Sequence, residues 1–296
     1  MTQNTPIPSD LRRWVNEHLA GVDLVADVSW PKAKSQVWRV SAGDQAAYVK
    51  ISPSALDYQR EITGYQHAEH ALDPDGAPQL LAADTGLQAI LSSPQPGLVV
   101  RALPLDLQDE QRVYELAGRS LRRWHDASAP ATDRERDAIG ASMTQQADEA
   151  AACLDSVGDQ LDAAQRALVR CVADELPQLG RQVPVVYRHG DFATRNWLWD
   201  SPSGILGLID FEMAAPGLAA EEYMWLYAAV WVERPDLKTA FFDGYGRPLT
   251  AEEDRLLHLL TTRLGISYLN SGLIKNDSVL IDRGRLVLAR MADQDQ

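Results

Sequence analysis

A chain of 296 residues, 45% apolar and 24% charged, is long enough for one large domain or two lobes around a substantial core. Its 42 acidic against 28 basic residues give a net charge of −14, which argues against nucleic acid or an anionic membrane as partner and fits a cationic one. The two cysteines, Cys153 and Cys171, lack a CxxC or His-rich neighbour and read as free thiols. No apolar run is of membrane-spanning length, and the polar stretch from Met1 to Asp10 has no signal-peptide core, so a cytoplasmic protein is expected.

In chain order, Leu11, Trp14, Val15 and Leu19 share one helical face behind Ser9, which predicts a helix over 9–19. Leu24 to Trp30 and Gln36 to Val40 read as strands joined by Pro31-Lys-Ala-Lys-Ser35. A third strand, Ala46 to Ile51, follows the turn at Gly43-Asp44 and carries Lys50 near its end. Ser52-Pro53 makes a good helix start, and the helix places Tyr58, Ile62 and Tyr65 on its apolar side, with Glu61 beside them. Glu61 has two readings: a pair with Lys50, or a contact one turn along its own helix. Pro78 to Asp84 and Leu87 to Leu91 complete a five-stranded antiparallel sheet. The stretch Ser92-Ser-Pro-Gln-Pro-Gly97 reads as a narrow linker.

Gln108 to Ala127 is amphipathic, with Val113, Leu116, Ala117, Leu121 and Trp124 at helical spacing and His125 as a packed or capping residue. Residues 130–182 are helical and polar, with ten acidic residues against five arginines, a net −5. A solvated helical pair with an acidic face is one reading of that segment. Beyond residue 218 the chain is helical, and its aromatics Tyr223, Trp225, Tyr227 and Trp231 read as core. No internal repeat is present.

Between 183 and 212 the chain carries its densest chemistry. Three apolar runs, Val183 to Tyr187, Trp197 to Trp199 and Ile205 to Ile209, read as strands. The last two form a hairpin through Ser201-Pro-Ser-Gly204. His189-Gly190-Asp191 and, five residues on, Asn196 lie before the hairpin. Asp210-Phe211-Glu212 follows it. That geometry predicts Asp191, Asn196 and Asp210 at one edge, and three converging oxygen-bearing side chains suit a hard cation and a hydroxyl nucleophile. A lone Asp-x4-Asn carries little weight, whereas the combination at this spacing carries much.

The combination His189-Gly190-Asp191-x4-Asn196 with Ile209-Asp210-Phe211-Glu212 resembles the aminoglycoside phosphotransferase family. The resemblance extends from about Ala46 to Tyr227 and implies an α+β, bilobal protein-kinase-like fold: a small antiparallel five-stranded N-lobe over 1–92, a hinge at 93–97 and a mostly helical C-lobe over 98–296. It implies transfer of the γ-phosphoryl group of ATP or GTP to an alcohol, with Mg2+. Asp191 would receive the hydroxyl proton, Asn196 and Asp210 would hold the metal, and Lys50, oriented by Glu61, would steady the α- and β-phosphates. Ser35 and neighbouring N–H groups would cover phosphate, with Lys32 and Lys34 either assisting or merely solvated. Backbone groups near Ser92 and Ser93 would meet the base.

Two departures from the family pattern bear on substrates. The turn at 31–35 has no glycine, and the hinge has two serines. Where the family has an aspartate at the start of the helix after Gly217, this chain has Glu221-Glu222, both candidate acceptor-binding residues: with Glu222 in the aspartate's place, Glu221 faces a cationic acceptor or complements the helix N-terminus. The short stretch between Asp210 and Leu218 favours a small molecule over a polypeptide. The acidic segment 130–182, where the family builds acceptor sites, then points to a basic antibiotic, with the protein conferring resistance. A metabolite kinase of choline, homoserine or sugar type is the alternative, and a non-catalytic nucleotide-binding scaffold a further one. No Walker A or Gly-x-Gly-x-x-Gly sequence is present, which excludes P-loop and dinucleotide readings by motif.

Overall fold

The computed structural model describes residues 5–30 and 34–294, so the expectation for Lys32 lies outside the described residues. In chain order the elements are helix α1 (Ser9–His18), strands β1 (Leu24–Asp27), β2 (Gln36–Ala42) and β3 (Gln45–Ile51), helix α2 (Ala55–Ala71), and strands β4 (Leu80–Asp84), β5 (Ala89–Ser92) and β6 (Leu98–Val99). Helices α3 (Leu107–Asp126), α4 (Asp133–Val157) and α5 (Ala163–Gln182) follow. Then come strands β7 (Val185–Arg188), β8 (Trp197–Asp200), β9 (Ile205–Leu208) and β10 (Ala215–Leu218). The chain closes with α6 (Ala219–Leu226), α7 (Pro235–Tyr245), α8 (Ala251–Lys275) and α9 (Ser278–Gln294). By compactness it forms two units. The first runs to Asp106 and adds His189–Ala215; the second is Leu107–Arg188 with the chain from Pro216 onward.

The first unit contains the antiparallel five-stranded sheet, in the order β1-β2-β3-β5-β4. Alternation along β2 and β3 sends Trp38, Val40, Ala47 and Val49 inward, where they meet Leu11, Trp14 and Val15 of α1 in one apolar cluster. Ser54 caps α2 by accepting the Asp57 N–H, and the helix buries Tyr58, Glu61, Gly64, Tyr65 and Ala68. A second sheet, β6-β8-β9, belongs to the same unit, with the expected hairpin pairing Trp197 to Leu208 and Asp200 to Ile205. The segment 93–97 also lies inside this unit. Gly97 there has φ +102°, and a Cβ on it would come within 2.7 Å of the Trp199 carbonyl, so only glycine fits.

Helices dominate the second unit. The polar stretch 130–182 is a hairpin of two capped helices, α4 and α5, each opening with a capping box (Thr132 with Glu135, Asp162 with Gln165). Part of its acidic charge is spent inside the unit: Glu175 receives the Arg255 guanidinium at 2.6 Å, and Glu149 pairs with Arg263. Helices α3 and α7 approach so closely that a Cβ on Gly118 would overlap the Phe241 carbonyl and come within 2.9 Å of the Tyr245 nitrogen. Two strands are not foreshadowed by the sequence: the short β6, and Ala215-Pro-Gly-Leu218, which pairs with β7 although it contains proline and glycine. No helix among the described residues is long and apolar enough to cross a membrane.

Candidate active site

The chain from His189 to Asn196 is a tight turn fixed by its own backbone. The Asn196 N–H donates to the Ala193 carbonyl (2.8 Å), and the Arg101 N–H to the Thr194 carbonyl (3.1 Å). Across the hairpin the Ile209 N–H donates to the Asn196 carbonyl (3.1 Å), so Asn196 lies opposite the residue that precedes Asp210. Gly190 has φ +85°, and a Cβ there would overlap the Met213 carbonyl. His189 is fully buried beneath the turn. Its Nε2 reaches the Ile209 carbonyl at 3.2 Å, and its Nδ1 takes the Asp191 N–H at 3.4 Å, which a proton on Nε2 satisfies together. The ring sits edge-on to Phe211 and Phe192. His189 thus packs and hydrogen-bonds beneath the turn.

The Asp191 carboxylate is held on both oxygens. Oδ2 accepts from Arg195 Nε (3.1 Å) and from Asn196 Nδ2 (2.7 Å), and Oδ1 accepts from Arg195 Nη2. Asn196 Nδ2 also donates to the Asp191 carbonyl at 2.9 Å. Both amide hydrogens of Asn196 are therefore committed to Asp191, and its Oδ1 is the atom left to serve as a ligand.

Lys50, on β3, meets three carboxylates. Its Nζ is 2.9 Å from Glu61 Oε2 on α2, 2.7 Å from Asp210 Oδ1 and 2.9 Å from Glu212 Oε2. The expected Lys50–Glu61 contact is present. Glu61 is almost fully buried, whereas Asp210 keeps 30% of its side chain exposed. Asp210 has φ +71°, a left-handed conformation uncommon for a residue other than glycine. Burial opposes the charge on Lys50, but the carboxylates of Glu61, Asp210 and Glu212 outweigh it and raise the ammonium well above its usual range. Burial pushes the Glu61 carboxyl up to about 7 against the pull of Lys50, while Lys50 overcomes the burial of Asp210 and holds it low. The asymmetry follows from charge: one ammonium cannot neutralise three carboxylates, and the most buried acid gives way first.

This excess of negative charge, with Asn196 Oδ1 across the hairpin, is a donor set of hard oxygens suited to Mg2+. Among the described residues, no group of three or more His, Cys, Asp or Glu side chains is placed to hold a metal ion by itself.

The remaining expected residues divide. Ser35 lies half-buried at the bend before β2. Ser92 is buried within the sheet, opposite Tyr48 of β3 and Leu80 of β4, and its hydroxyl bonds Tyr65. Ser93 gives its N–H to the Gln79 carbonyl (2.9 Å), and its hydroxyl takes the Gln79 N–H (2.8 Å). What Ser93 has to offer a base is thus its carbonyl, not its N–H. Glu222 is enclosed in the second unit, 3.9 Å from His125 Nε2 with no side-chain exposure, so it cannot meet an acceptor as it stands. Glu221 accepts the Leu218 N–H at 2.9 Å and lies 3.5 Å from Arg188 Nε, which makes it a helix-start group, one of the two roles open to it. Two residues outside the expected set belong to the site, Arg195 and Glu212. The i, i+4 spacing of Asp191 and Arg195 was the available signal for the first.

A five-stranded antiparallel sheet whose lysine meets a helix glutamate and the aspartate after a hairpin defines a kinase-type phosphotransferase with an alcohol acceptor. The model of the APH phosphotransferase enzyme family matches residues 31–258, and the chain belongs to that family. A search of curated proteins gives no match. Among solved structures the chain is similar to the aminoglycoside phosphotransferase APH(2'')-Ib with bound ADP, at 13% identity and a TM-score of 0.68, over 97% of this chain and 99% of that one. It is similar to APH(2")-IIIa in complex with GDP and kanamycin, at 16% identity and a TM-score of 0.63, over 98% and 100%. The macrolide 2'-phosphotransferase MphH from Brachybacterium faecium is similar at 14% identity and a TM-score of 0.60, over 95% and 98%. At these identities the structures show a shared protein-kinase-like fold.

Proposed function

We propose that the protein transfers the γ-phosphoryl group of ATP or GTP to a hydroxyl of a cationic small molecule, an aminoglycoside-like or basic peptide antibiotic, and so confers resistance. The observation that carries the transfer chemistry is the meeting of Lys50 with Glu61 and Asp210, beside a hairpin that holds Asp191 and Asn196. Phosphoryl transfer asks for positioning and charge neutralisation more than covalent help. Lys50, braced by Glu61, steadies the α- and β-phosphates. Asp191 orients the hydroxyl and receives its proton. Asn196 and Asp210 hold Mg2+, which when bound neutralises phosphate charge. Ser35 covers phosphate, and Ser93 meets the base through its carbonyl. The functional lobes are 1–92 and 98–296 about a hinge at 93–97. A cytoplasmic location suits a nucleotide co-substrate and the free thiols of Cys153 and Cys171.

The cationic acceptor is supported by the net charge of −14 and by relatives solved with kanamycin or streptomycin. Glu222 is set aside as its partner, because its carboxylate is enclosed. The test is ADP release from Mg-ATP and Mg-GTP with aminoglycosides, basic peptide antibiotics, a macrolide and amino alcohols as acceptors. Stimulation by the cationic antibiotics supports the reading, and turnover only with neutral or anionic acceptors refutes it. Asp191→Ala should abolish transfer and leave nucleotide binding intact.

A further inference from the structure

Arg195 has no part in the chemistry assigned above, yet it makes two of the three hydrogen bonds to the Asp191 carboxylate. Its guanidinium lies across the carboxylate as a fork, Nε to Oδ2 at 3.1 Å and Nη2 to Oδ1. Asn196 Nδ2 adds a third hydrogen bond, also to Oδ2. A carboxylate offers about four acceptor sites, two on each oxygen. Both sites of Oδ2 are taken, and one of Oδ1. A single acceptor site remains, on Oδ1, and the side chain keeps 21% of its surface exposed.

We infer that Arg195 is a positioning residue for phosphoryl transfer: by forking across Asp191 it fixes the carboxylate plane and leaves Oδ1 as the only oxygen that can receive the acceptor hydroxyl. The inference rests on the reading of Asp191 as the group that faces that hydroxyl. A carboxylate free to rotate about its Cβ–Cγ bond would offer either oxygen over a wide arc. One clamped by two parallel N–H bonds offers one lone pair in one direction, and alignment of this kind is what sets the rate when a reacting group must be placed to within an ångström. The turn supplies the clamp's own rigidity, because the Ala193–Asn196 and Arg101–Thr194 backbone bonds flank Arg195. Lysine cannot replace it, since an ammonium is a point donor without the planar fork.

The test uses the full chain and follows ADP release from Mg-ATP, with the acceptor that gives the highest turnover in the panel above, or with water if none exceeds it. Arg195→Ala and Arg195→Lys are expected to lower kcat by about 10²-fold while KM for Mg-ATP and the unfolding midpoint stay near those of the parent. Added methylguanidine should restore part of the Arg195→Ala loss. In the Asp191→Asn background, Arg195→Ala should cause little further loss, because residues acting as one unit are not additive. Unchanged kcat in both Arg195 variants, with Asp191→Asn inactive, overturns the inference and leaves the reading of Asp191 standing. An equal loss with and without Asp191 also overturns it. Full turnover in Asp191→Asn overturns both.

Discussion

Replacing Gly64 by alanine tests how the position of α2 governs the site. Gly64 lies one turn beyond Glu61 and packs on Phe211, the residue after Asp210. A Cβ on it would overlap the Phe211 Cβ, lie 3.1 Å from its Cγ and 3.4 Å from the Ala214 Cβ. Carbon atoms rest at about 3.5–4.0 Å, so helix and ring must separate by on the order of 1 Å. Relief by rotation is limited, because Phe211 is fully buried with Tyr65 edge-on at 5.1 Å and His189 at 5.4 Å. Overpacking of this kind costs about 1–3 kcal/mol, and alanine returns roughly 1 kcal/mol of helix propensity, so the net loss of stability is about 0–2 kcal/mol. Activity should suffer more. Glu61 and Asp210 flank the contact on its two sides, and both must reach the Lys50 ammonium, now at 2.9 and 2.7 Å. A displacement of about 1 Å shared between them is expected to lower kcat by about 10²-fold, or about 2.7 kcal/mol of barrier. Urea unfolding gives the first quantity and ADP release the second. A variant of unchanged turnover would refute the claim that helix position is transmitted to Lys50, and a loss of turnover matched by outright unfolding would refute the division between stability and activity.

In the second unit, Gly118→Ala drives a methyl into the Phe241 carbonyl, backbone that cannot rotate away; a net destabilisation of about 2 kcal/mol is expected from the urea midpoint. Asp27 accepts the Ser29 N–H (3.0 Å) and the Thr5 N–H (2.9 Å), and the Ser29 hydroxyl foremost, then these two N–H groups, lower its carboxyl from 3.8 to about 2. A depressed folded-state value stabilises the fold above the unfolded-state value, and that contribution is lost as pH falls from 3.8 toward 2. Asp27→Asn should therefore cost about 1 kcal/mol at both pH 7 and pH 5, with the gap from the parent closing near pH 3; a gap independent of pH contradicts this. Removal of divalent cations with a chelator should stop ADP release and Mg2+ should restore it, while the far-ultraviolet circular dichroism stays unchanged.

The sheet and the hairpin were legible because they depend on local chain geometry: alternation sets the strands and a four-residue turn sets the hairpin. The residues at 50, 61, 191, 196 and 210 were singled out by the family resemblance of the motif, which for Glu61 chose between two partners that spacing left open. What escaped depends on contacts distant in sequence or on dihedral angles. The strand at 215–218 contains Pro216 and Gly217, which ordinarily argue against a strand. It forms beside Arg188, whose guanidinium carbon would lie 2.7 Å from a Cβ on Gly217, so the glycine makes room for a side chain from the paired strand. Glu222 reads as an exposed helix-start acid, and only the packing of α3, about a hundred residues earlier, encloses it beside His125. Ser93 loses its N–H to Gln79 because of how β4 and β5 align, which residue types do not specify.

Glu212 is the instructive case. Two residues past Asp210, whose φ is positive, and within the turn closed by the Ala214 N–H on the Phe211 carbonyl, Glu212 meets the same ammonium at 2.9 Å. The motif thus names the acids, and the backbone conformation sets the charge balance. Three carboxylates to one ammonium is a state that burial alone would not tolerate. Burial foremost, with Asp210 and Glu212 adding to it, raises Glu61 toward neutrality, and the charge imbalance would favour the entry of a divalent ion with its nucleotide. Asp210, with its positive φ, and the buried Glu61 thus meet with Glu212 at one ammonium, and three carboxylates leave Lys50 outnumbered.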